Sequence, residues 1–175
     1  VSMVNDNHGI LAPISILRGP QGTVGITYLD ERQPRFQTYF NRSTDYGQTW
    51  PKPDQRLDTP PEFRMSSEVR EPQSVEAGAT WVVAWVDAVR APSGGFNYRI
   101  VSRRSDDAGM NWSTPAAIFT SDKLIASLKV QARDKHVVIA ADEHERGIFA
   151  LVSSDSGQTW QNAGSLAGTG FEPKA

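Results

Sequence analysis

Three short segments of the sequence combine acidic and arginine side chains directly after an apolar run. Each begins with an aspartate, and an arginine follows two to five residues later. Because the guanidinium group of arginine binds a carboxylate through two parallel hydrogen bonds, such segments can recognise an acidic sugar. They therefore predict a ligand-binding rim. Its candidate residues are Asp30 and Arg32, Asp87 and Arg90, and Asp142, His144 and Arg146.

The same composition is also typical of solvated turns, in which the aspartate caps the turn and the arginine lies in water. That alternative stays open at this stage. The run from Asp142 to Arg146 contains one histidine among flexible carboxylates, which is a weak ligand set for a metal ion. The chain has no cysteine, so thiolate sites are excluded. The sequence therefore predicts no metal site and no cofactor.

An octapeptide of the form Ser-x-Asp-x-Gly-x-x-Trp occurs three times, at Ser43–Trp50, Ser105–Trp112 and Ser153–Trp160. Its chemistry suits a hairpin turn. The aspartate can accept hydrogen bonds from backbone N–H groups, the glycine supplies a positive φ, and the tryptophan covers the turn. The octapeptides are therefore predicted to be structural. The residues with this role are Asp45, Gly47, Trp50, Asp107, Gly109, Trp112, Asp155, Gly157 and Trp160.

Short runs of β-branched and aromatic residues surround each octapeptide and predict four strands per unit. The octapeptides begin 62 and 48 residues apart, a spacing that fits propeller blades. The predicted fold is all-β, with three four-stranded antiparallel β-propeller blades in one segment spanning residues 1–175. The blades are expected at about residues 10–59, 68–120 and 123–168. Trp81 and Trp85 lie on one side of a strand by their spacing and are expected between blades.

The octapeptides resemble the Asp boxes, or bacterial neuraminidase repeats, of sialidases and related six-bladed propellers. The resemblance covers roughly residues 10–168. It implies that the chain is half of a six-bladed sialidase-like ring. It also implies that the Asp-box turns lie on the face opposite the functional one, and that the loops between second and third strands lie on the functional face. A secreted or periplasmic location is expected from the resemblance alone.

The resemblance to sialidases extends to one further motif. Sialidases carry an Arg-Ile-Pro motif whose arginine grips the substrate carboxylate, and Arg70-Glu71-Pro72 is similar to it at two of three positions. Arg70 is therefore a candidate carboxylate contact. The loop at residues 90–97, where the family has an acidic residue, has none here, and the family's Tyr–Glu nucleophile pair has no recognisable counterpart. No catalytic residue is assigned, and the chain alone is expected to lack sialidase activity.

Composition narrows the range of partners. The net charge is −2, long like-charge runs are absent, and no stretch approaches the roughly 20 apolar residues of a membrane span. Neither nucleic acid nor a membrane is therefore expected as a partner. Because three blades do not close a ring, we expect either a homodimer that completes six blades or further blades on a longer chain.

These observations lead to three hypotheses about function. The first is a non-catalytic propeller module that binds a glycan on its loop side. The second is one part of a glycoside hydrolase of the exo-sialidase type, completed by further blades. The third is a structural or protein-interaction propeller.

Overall fold

The computed structural model describes residues 10–33, 35–58, 68–92 and 94–166, in which twelve strands form three four-stranded antiparallel sheets. Blade 1 contains β1 (Ile10–Arg18), β2 (Val24–Gln33), β3 (Arg35–Ser43) and β4 (Gln55–Arg56). Blade 2 contains β5 (Glu68–Ala77), β6 (Thr80–Arg90), β7 (Phe96–Ser105) and β8 (Ala116–Ser121). Blade 3 contains β9 (Ile125–Arg133), β10 (His136–Glu143), β11 (Gly147–Ser153) and β12 (Gln161–Ser165). The predicted fold class, three four-stranded antiparallel blades, is confirmed.

The strands of each blade pair in sequence order. The first strand β5 contacts both β1 and β9, so these three strands are innermost, whereas β4, β8 and β12 form the outer edges. The blades therefore stack face to face in chain order. The strands span residues 10–56, 68–121 and 125–165, and the predicted blade limits at 59 and 168 lie outside the described residues.

The core between blades 1 and 2 is built around two indole rings. Trp81 is 2% exposed and Trp85 0%, and both belong to one cluster with residues of blade 1, as their spacing predicts. Three glycines make room for the Trp81 ring. A Cβ atom at Gly19, Gly25 or Gly109 would lie 2.9, 2.7 or 2.9 Å from a ring carbon. These positions exclude any larger residue because the blades approach so closely.

The core between blades 2 and 3 uses the other side of β6. Val82, Ala84 and Val86 point away from blade 1 and pack with Val137 and Ile139 of β10. Because β6 is covered on both sides, its sequence is apolar without alternation. In contrast, β10 alternates between buried and exposed residues, since only one of its sides is covered. The burial patterns of β6 and β10 thus agree with a blade 2 that packs on two neighbouring blades and a blade 3 that packs on one.

The outward sides of the two end blades expose apolar side chains. Ile14 and Ile16 of β1 lie on the side of blade 1 that faces away from blade 2, and they are 55% and 66% exposed. Val138 and Ile148 lie on the side of blade 3 that faces away from blade 2, and each is 43% exposed. Inner positions of the stack bury the equivalent side chains. Both ends of the stack therefore expose apolar surface of the kind that another blade would cover.

Antiparallel pairing separates two faces at opposite ends of the strands. The connections β2–β3, β6–β7 and β10–β11 lie on one, here called the loop face. The octapeptide turns lie on the other, here called the turn face. On the turn face, Trp81 Nε1 donates to the carbonyl of Arg18 at 3.1 Å, and Ser156 Oγ donates to the carbonyl of Ala77 at 3.0 Å. Each acceptor is the last residue of the preceding blade's inner strand.

Candidate functional site

On the turn face, each octapeptide forms a closed hydrogen-bond unit. In the second, the Ser105 hydroxyl donates to Asp107 Oδ1 at 2.8 Å and accepts the Gly109 N–H at 2.8 Å. Asp107 also accepts the backbone N–H of Asn111 at 2.8 Å and its side-chain amide at 2.7 Å. The first and third octapeptides repeat these contacts with threonine in place of Asn111. The carboxylates are therefore used within the turns.

The same hydrogen bonds perturb the acidity of the turn carboxylates. Donors on Ser43 and Thr49 lower the pKa of Asp45 to about 2, and donors on Thr159 and Ser153 do the same for Asp155. Because the folded pKa is depressed, these carboxylates stabilise the turn above their ordinary value of 3.8. That stabilisation is lost as the pH falls through about 2.

Replacing Asp107 with Ala is expected to lower the free energy of unfolding by about 1–3 kcal/mol, because the partly buried Ser105 hydroxyl and both N–H donors of Asn111 lose their acceptor. Asp142→Ala serves as the control, since Asp142 is an exposed carboxylate, and should change stability by no more than about 0.5 kcal/mol. Urea unfolding followed by circular dichroism measures both. Equal midpoints for the two variants would contradict a structural role for the octapeptide aspartate.

On the loop face, the strand register brings one acidic residue of each blade to the same position. These residues are Asp30, Asp87 and Glu143, which are 0%, 0% and 6% exposed. Each lies opposite the residue six positions before the octapeptide serine, namely Gln37, Arg99 and Gly147. The register thus assigns Glu143, rather than Asp142, to the position in blade 3 that Asp30 and Asp87 occupy in blades 1 and 2. Asp142 is one step further along β10 and is exposed on the outward side of blade 3.

The acidic residues of blades 2 and 3 are held by arginines. Arg99 Nη2 forms an ion pair with Asp87 Oδ2 across the β6–β7 pairing. Arg146 Nη1 binds Glu143 Oε1 at 2.8 Å, and the Ser121 hydroxyl donates to the same oxygen. The hydrogen bond to Glu143 raises the pKa of Arg146. These pairs rigidify the loop face rather than leaving isolated charges on it.

A second set of ion pairs ties the β10–β11 loop to the connection between blades 2 and 3. Arg146 Nη2 binds Asp122 at 2.8 Å, and Lys123 Nζ binds Glu145. The hydrogen bond with Glu145 raises the pKa of Lys123, and the same bond lowers the pKa of Glu145. His144 is exposed, and its Nδ1 lies 3.8 Å from Glu145. Of the predicted residues in this loop, Arg146 is therefore the one built into the network.

The remaining predicted residues are spread over the loop face. Arg70 is exposed on β5 beside a register shift, where Glu71 has a φ of 53°. Arg90 ends β6, and its guanidinium carbon lies 6.0 Å from the centre of the Phe96 ring. Arg32 lies in β2, but its side chain is outside the described part of the chain. Asp30 is buried within blade 1. The described residues do not gather these groups into one cluster.

A cleft of about 420 Å³ collects the polar groups that are near one another. Its lining includes Val89, Asn97, Arg99, Thr120, Asp122 and Arg146. Sequence reasoning identified Arg146 but missed Arg99 and Asp122. The residue six positions before the octapeptide serine pairs with the acidic residue of the preceding strand. In blade 2 this residue is Arg99, so the offset from Ser105 could have identified it.

Among the described residues, no group of three His, Asp or Glu side chains is arranged to hold a metal ion. The same residues contain no helix with the length and apolar character needed to cross a membrane.

Comparison with protein families gives a match over most of the chain. A family described as a BNR repeat-like domain matches residues 13–170, which is nearly the whole chain. Among curated proteins, none matches the chain.

Solved structures that resemble the chain include several glycosidases. An α-L-arabinanase of Penicillium chrysogenum in complex with arabinobiose is 17% identical, with a TM-score of 0.61, over 89% of this chain and 49% of that one. An α-L-arabinofuranosidase of Fusarium graminearum with arabinobiose is 13% identical, with a TM-score of 0.60, over 91% and 50%. An intramolecular trans-sialidase of Ruminococcus gnavus in complex with oseltamivir carboxylate is 11% identical, with a TM-score of 0.62, over 97% and 65%. The chain thus spans about half to two thirds of their lengths.

Proposed function

Because this chain belongs to the family of BNR repeat-like domains, we propose that it is a non-catalytic propeller module that binds a glycan on its loop face. The observation that carries the proposal is the polar cleft between β7, β8 and the β10–β11 loop. Asn97, Thr120 and Arg146 offer amide, hydroxyl and guanidinium groups there, and Asp122 offers an acceptor. Sugar hydroxyls need such mixed donors and acceptors. The similar structures that act on glycans support the same ligand class.

The ion pairs of the loop face support binding rather than catalysis. A glycoside hydrolase commonly needs two carboxyl groups flanking the scissile bond, one of them held as an acid. Among the described loop-face residues, Asp87 is paired with Arg99, and Glu143 with Arg146 and Ser121. These acidic residues therefore hold the segments of the loop face in place through their ion pairs.

The second hypothesis, one part of a glycoside hydrolase, is favoured by a different observation. The similar arabinanase and trans-sialidase are enzymes, and this chain covers 49% and 65% of their lengths. Further blades could supply the missing groups. Turnover of a fluorogenic sialoside or arabinofuranoside by the purified chain would support this hypothesis against the first.

The test of the proposal is binding of the purified chain to a glycan array. We expect retention of a subset of glycans, with affinity reduced about fivefold or more by Asn97→Ala, since an exposed donor in the cleft is lost. The matched control is Gln131→Ala, which removes an exposed amide outside the cleft and should leave affinity unchanged. Absence of any retained glycan, or an equal loss in both variants, would favour a structural or protein-interaction role.

We further propose that a second copy completes the ring. The exposed residues Ile14 and Ile16 of one copy would pack on Val138 and Ile148 of the other, and the twofold axis would fill both contacts at once. Such a contact is large and apolar, so it should be stable. Sedimentation of the same preparation is expected to show a dimer at micromolar concentration. A folded monomer there would overturn this assembly.

A further inference from the structure

The turn face contains a cavity that the proposed glycan site does not use. It has a volume of about 530 Å³ and lies between blades 1 and 2. Two arginines and two aspartates are among its lining, which includes Arg18, Gln21, Arg42, Asp106, Asp107 and Met110. A cavity of this size holds a ligand of one or two sugar rings.

The repeat provides an internal comparison for Arg42. This residue directly precedes the first octapeptide, and Arg104 directly precedes the second. Arg104 Nη1 binds Gln158 of the next blade's octapeptide at 3.2 Å, and its Nη2 binds both oxygens of Asp106 at 2.7 and 2.8 Å. In the second blade, therefore, this position is a structural arginine with acceptors on both sides.

The acceptors of Arg104 are absent at the equivalent positions around Arg42. Met110 replaces Gln158 in the next octapeptide, and Thr44 replaces Asp106 in its own. The Nε atom of Arg42 is buried and has no hydrogen-bond partner within the described ranges. A buried guanidinium donor without an acceptor is unfavourable unless a ligand supplies one. The Arg42 guanidinium therefore offers a hydrogen-bond donor to an oxyanion at this end of the cavity.

The other walls restrict which anion fits. Arg18 is 85% exposed at its side chain, and its Nε lies 3.7 Å from Glu76, so most of its donors face solvent. Asp106 accepts three hydrogen bonds from Arg104 and Thr80, and a carboxylate has about four acceptor positions. A ligand here thus meets cationic donors and a carboxylate acceptor. A polyanion such as nucleic acid would be repelled by Asp106, whereas an anion with hydroxyl groups satisfies both.

We infer that the cavity binds an acidic sugar, with its carboxylate on Arg42 and Arg18 and a hydroxyl on Asp106. The planar fork of arginine matches a carboxylate in a bidentate arrangement. The site lies between two blades of this chain and needs no further blade. It is also separate from the loop-face cleft, so each proposal can fail without the other.

Isothermal titration of the full chain with glucuronate, glucose and inorganic sulfate tests the inference. Glucuronate is expected to bind, with glucose and sulfate weaker by about tenfold or more, because each lacks either the carboxylate or the hydroxyl groups. Failure of glucuronate to bind would overturn the proposal. Glucose binding of equal strength would also overturn it, and equal binding of sulfate would reduce the site to an adventitious anion contact.

Two substitutions make the test specific to Arg42. Arg42→Gln removes the charged guanidinium fork, and Met110→Gln gives Arg42 the acceptor that Gln158 gives Arg104. Both should weaken glucuronate binding about tenfold or more, and Met110→Gln should leave the fold intact because Met110 is 59% exposed. The matched control is the reverse swap, Gln158→Met, one octapeptide further along, which should leave binding unchanged. Unaltered affinity in Met110→Gln and Arg42→Gln would refute the assignment.

Discussion

Replacing Gly109 with Ala is expected to lower the free energy of unfolding by about 3–5 kcal/mol. Two effects add at this residue. Gly109 has a φ of +83°, a left-handed conformation that costs a residue with a side chain about 1–2 kcal/mol. An added Cβ would also lie 2.4 Å from Phe40 Cζ and 2.9 Å from Trp81, both fixed within the core between blades 1 and 2. The blades would have to separate.

The other two octapeptides provide matched controls for this substitution. Gly47 has nearly the same φ, +82°, but a Cβ there would meet only Trp50, at 3.6 Å. Gly47→Ala should therefore cost only the conformational part, about 1–2 kcal/mol. Gly157→Ala should be intermediate, since Val82 lies 3.1 Å from its added Cβ. Urea unfolding of the three variants measures this order, and equal losses would show that steric contact between blades contributes nothing.

The second large effect is expected for Arg103→Met, which should destabilise the fold by about 2–4 kcal/mol. Arg103 lies on β7 and reaches across to blade 1, where its Nη1 donates to the carbonyl of Leu57 at 2.8 Å. Its other nitrogens donate to the carbonyls of Ser113 at 2.5 Å and Trp112 at 3.3 Å. Methionine retains much of the volume but none of the donors, so three carbonyls lose their partner.

The loss of Arg103 should also be visible in the pH dependence. Burial raises the pKa of Asp58, and its neighbours Arg56 and Arg103 only partly offset this. The folded protein therefore holds a proton on Asp58 at a pH where the unfolded chain has released it, so this contribution to stability declines as the pH rises from 3.8 through the folded pKa. In Arg103→Met the pKa of Asp58 rises further, and the decline should extend to higher pH. Unfolding measured between about pH 3 and 7 checks the shift.

Arg133→Met is the control for both measurements. Arg133 is an exposed arginine at the end of β9, and its replacement should change stability by no more than about 0.5 kcal/mol at any pH. If Arg103→Met is equally harmless, the hydrogen bonds that cross between blades 1 and 2 carry no net stability.

The strands and turns could be predicted from the sequence because their signals are local. Each octapeptide contains its own donors and acceptors, and the spacing of Trp81 and Trp85 by itself places both rings on one side of β6. The pairing of residues between neighbouring strands was harder to predict from the sequence. The pair Asp142-Glu143 offers two acidic residues at the end of one strand, and only the pairing with Gly147 shows which of them occupies the position of Asp87.

The candidate site depended still more on contacts between distant residues. Arg99 forms its ion pair across two strands, and Asp122 meets Arg146 from the connection between blades. Neither contact has a sequence motif, because each joins residues at least 12 positions apart. The Nε atom of Arg42, which has no hydrogen-bond partner among the described residues, likewise has no local signal, because its environment depends on Met110 of the next octapeptide.

The hydrogen bonds between blades on the turn face bear on how such a repeat can diverge. Trp81 and Ser156 donate to main-chain carbonyls, at Arg18 and Ala77, rather than to side chains. A carbonyl oxygen is present whatever residue occupies the position, so substitutions at the accepting residue leave the junction intact. Only the donor has to be retained, and the two junctions already use different donors. The residues of a blade can therefore change while the hydrogen bonds between neighbouring blades are retained.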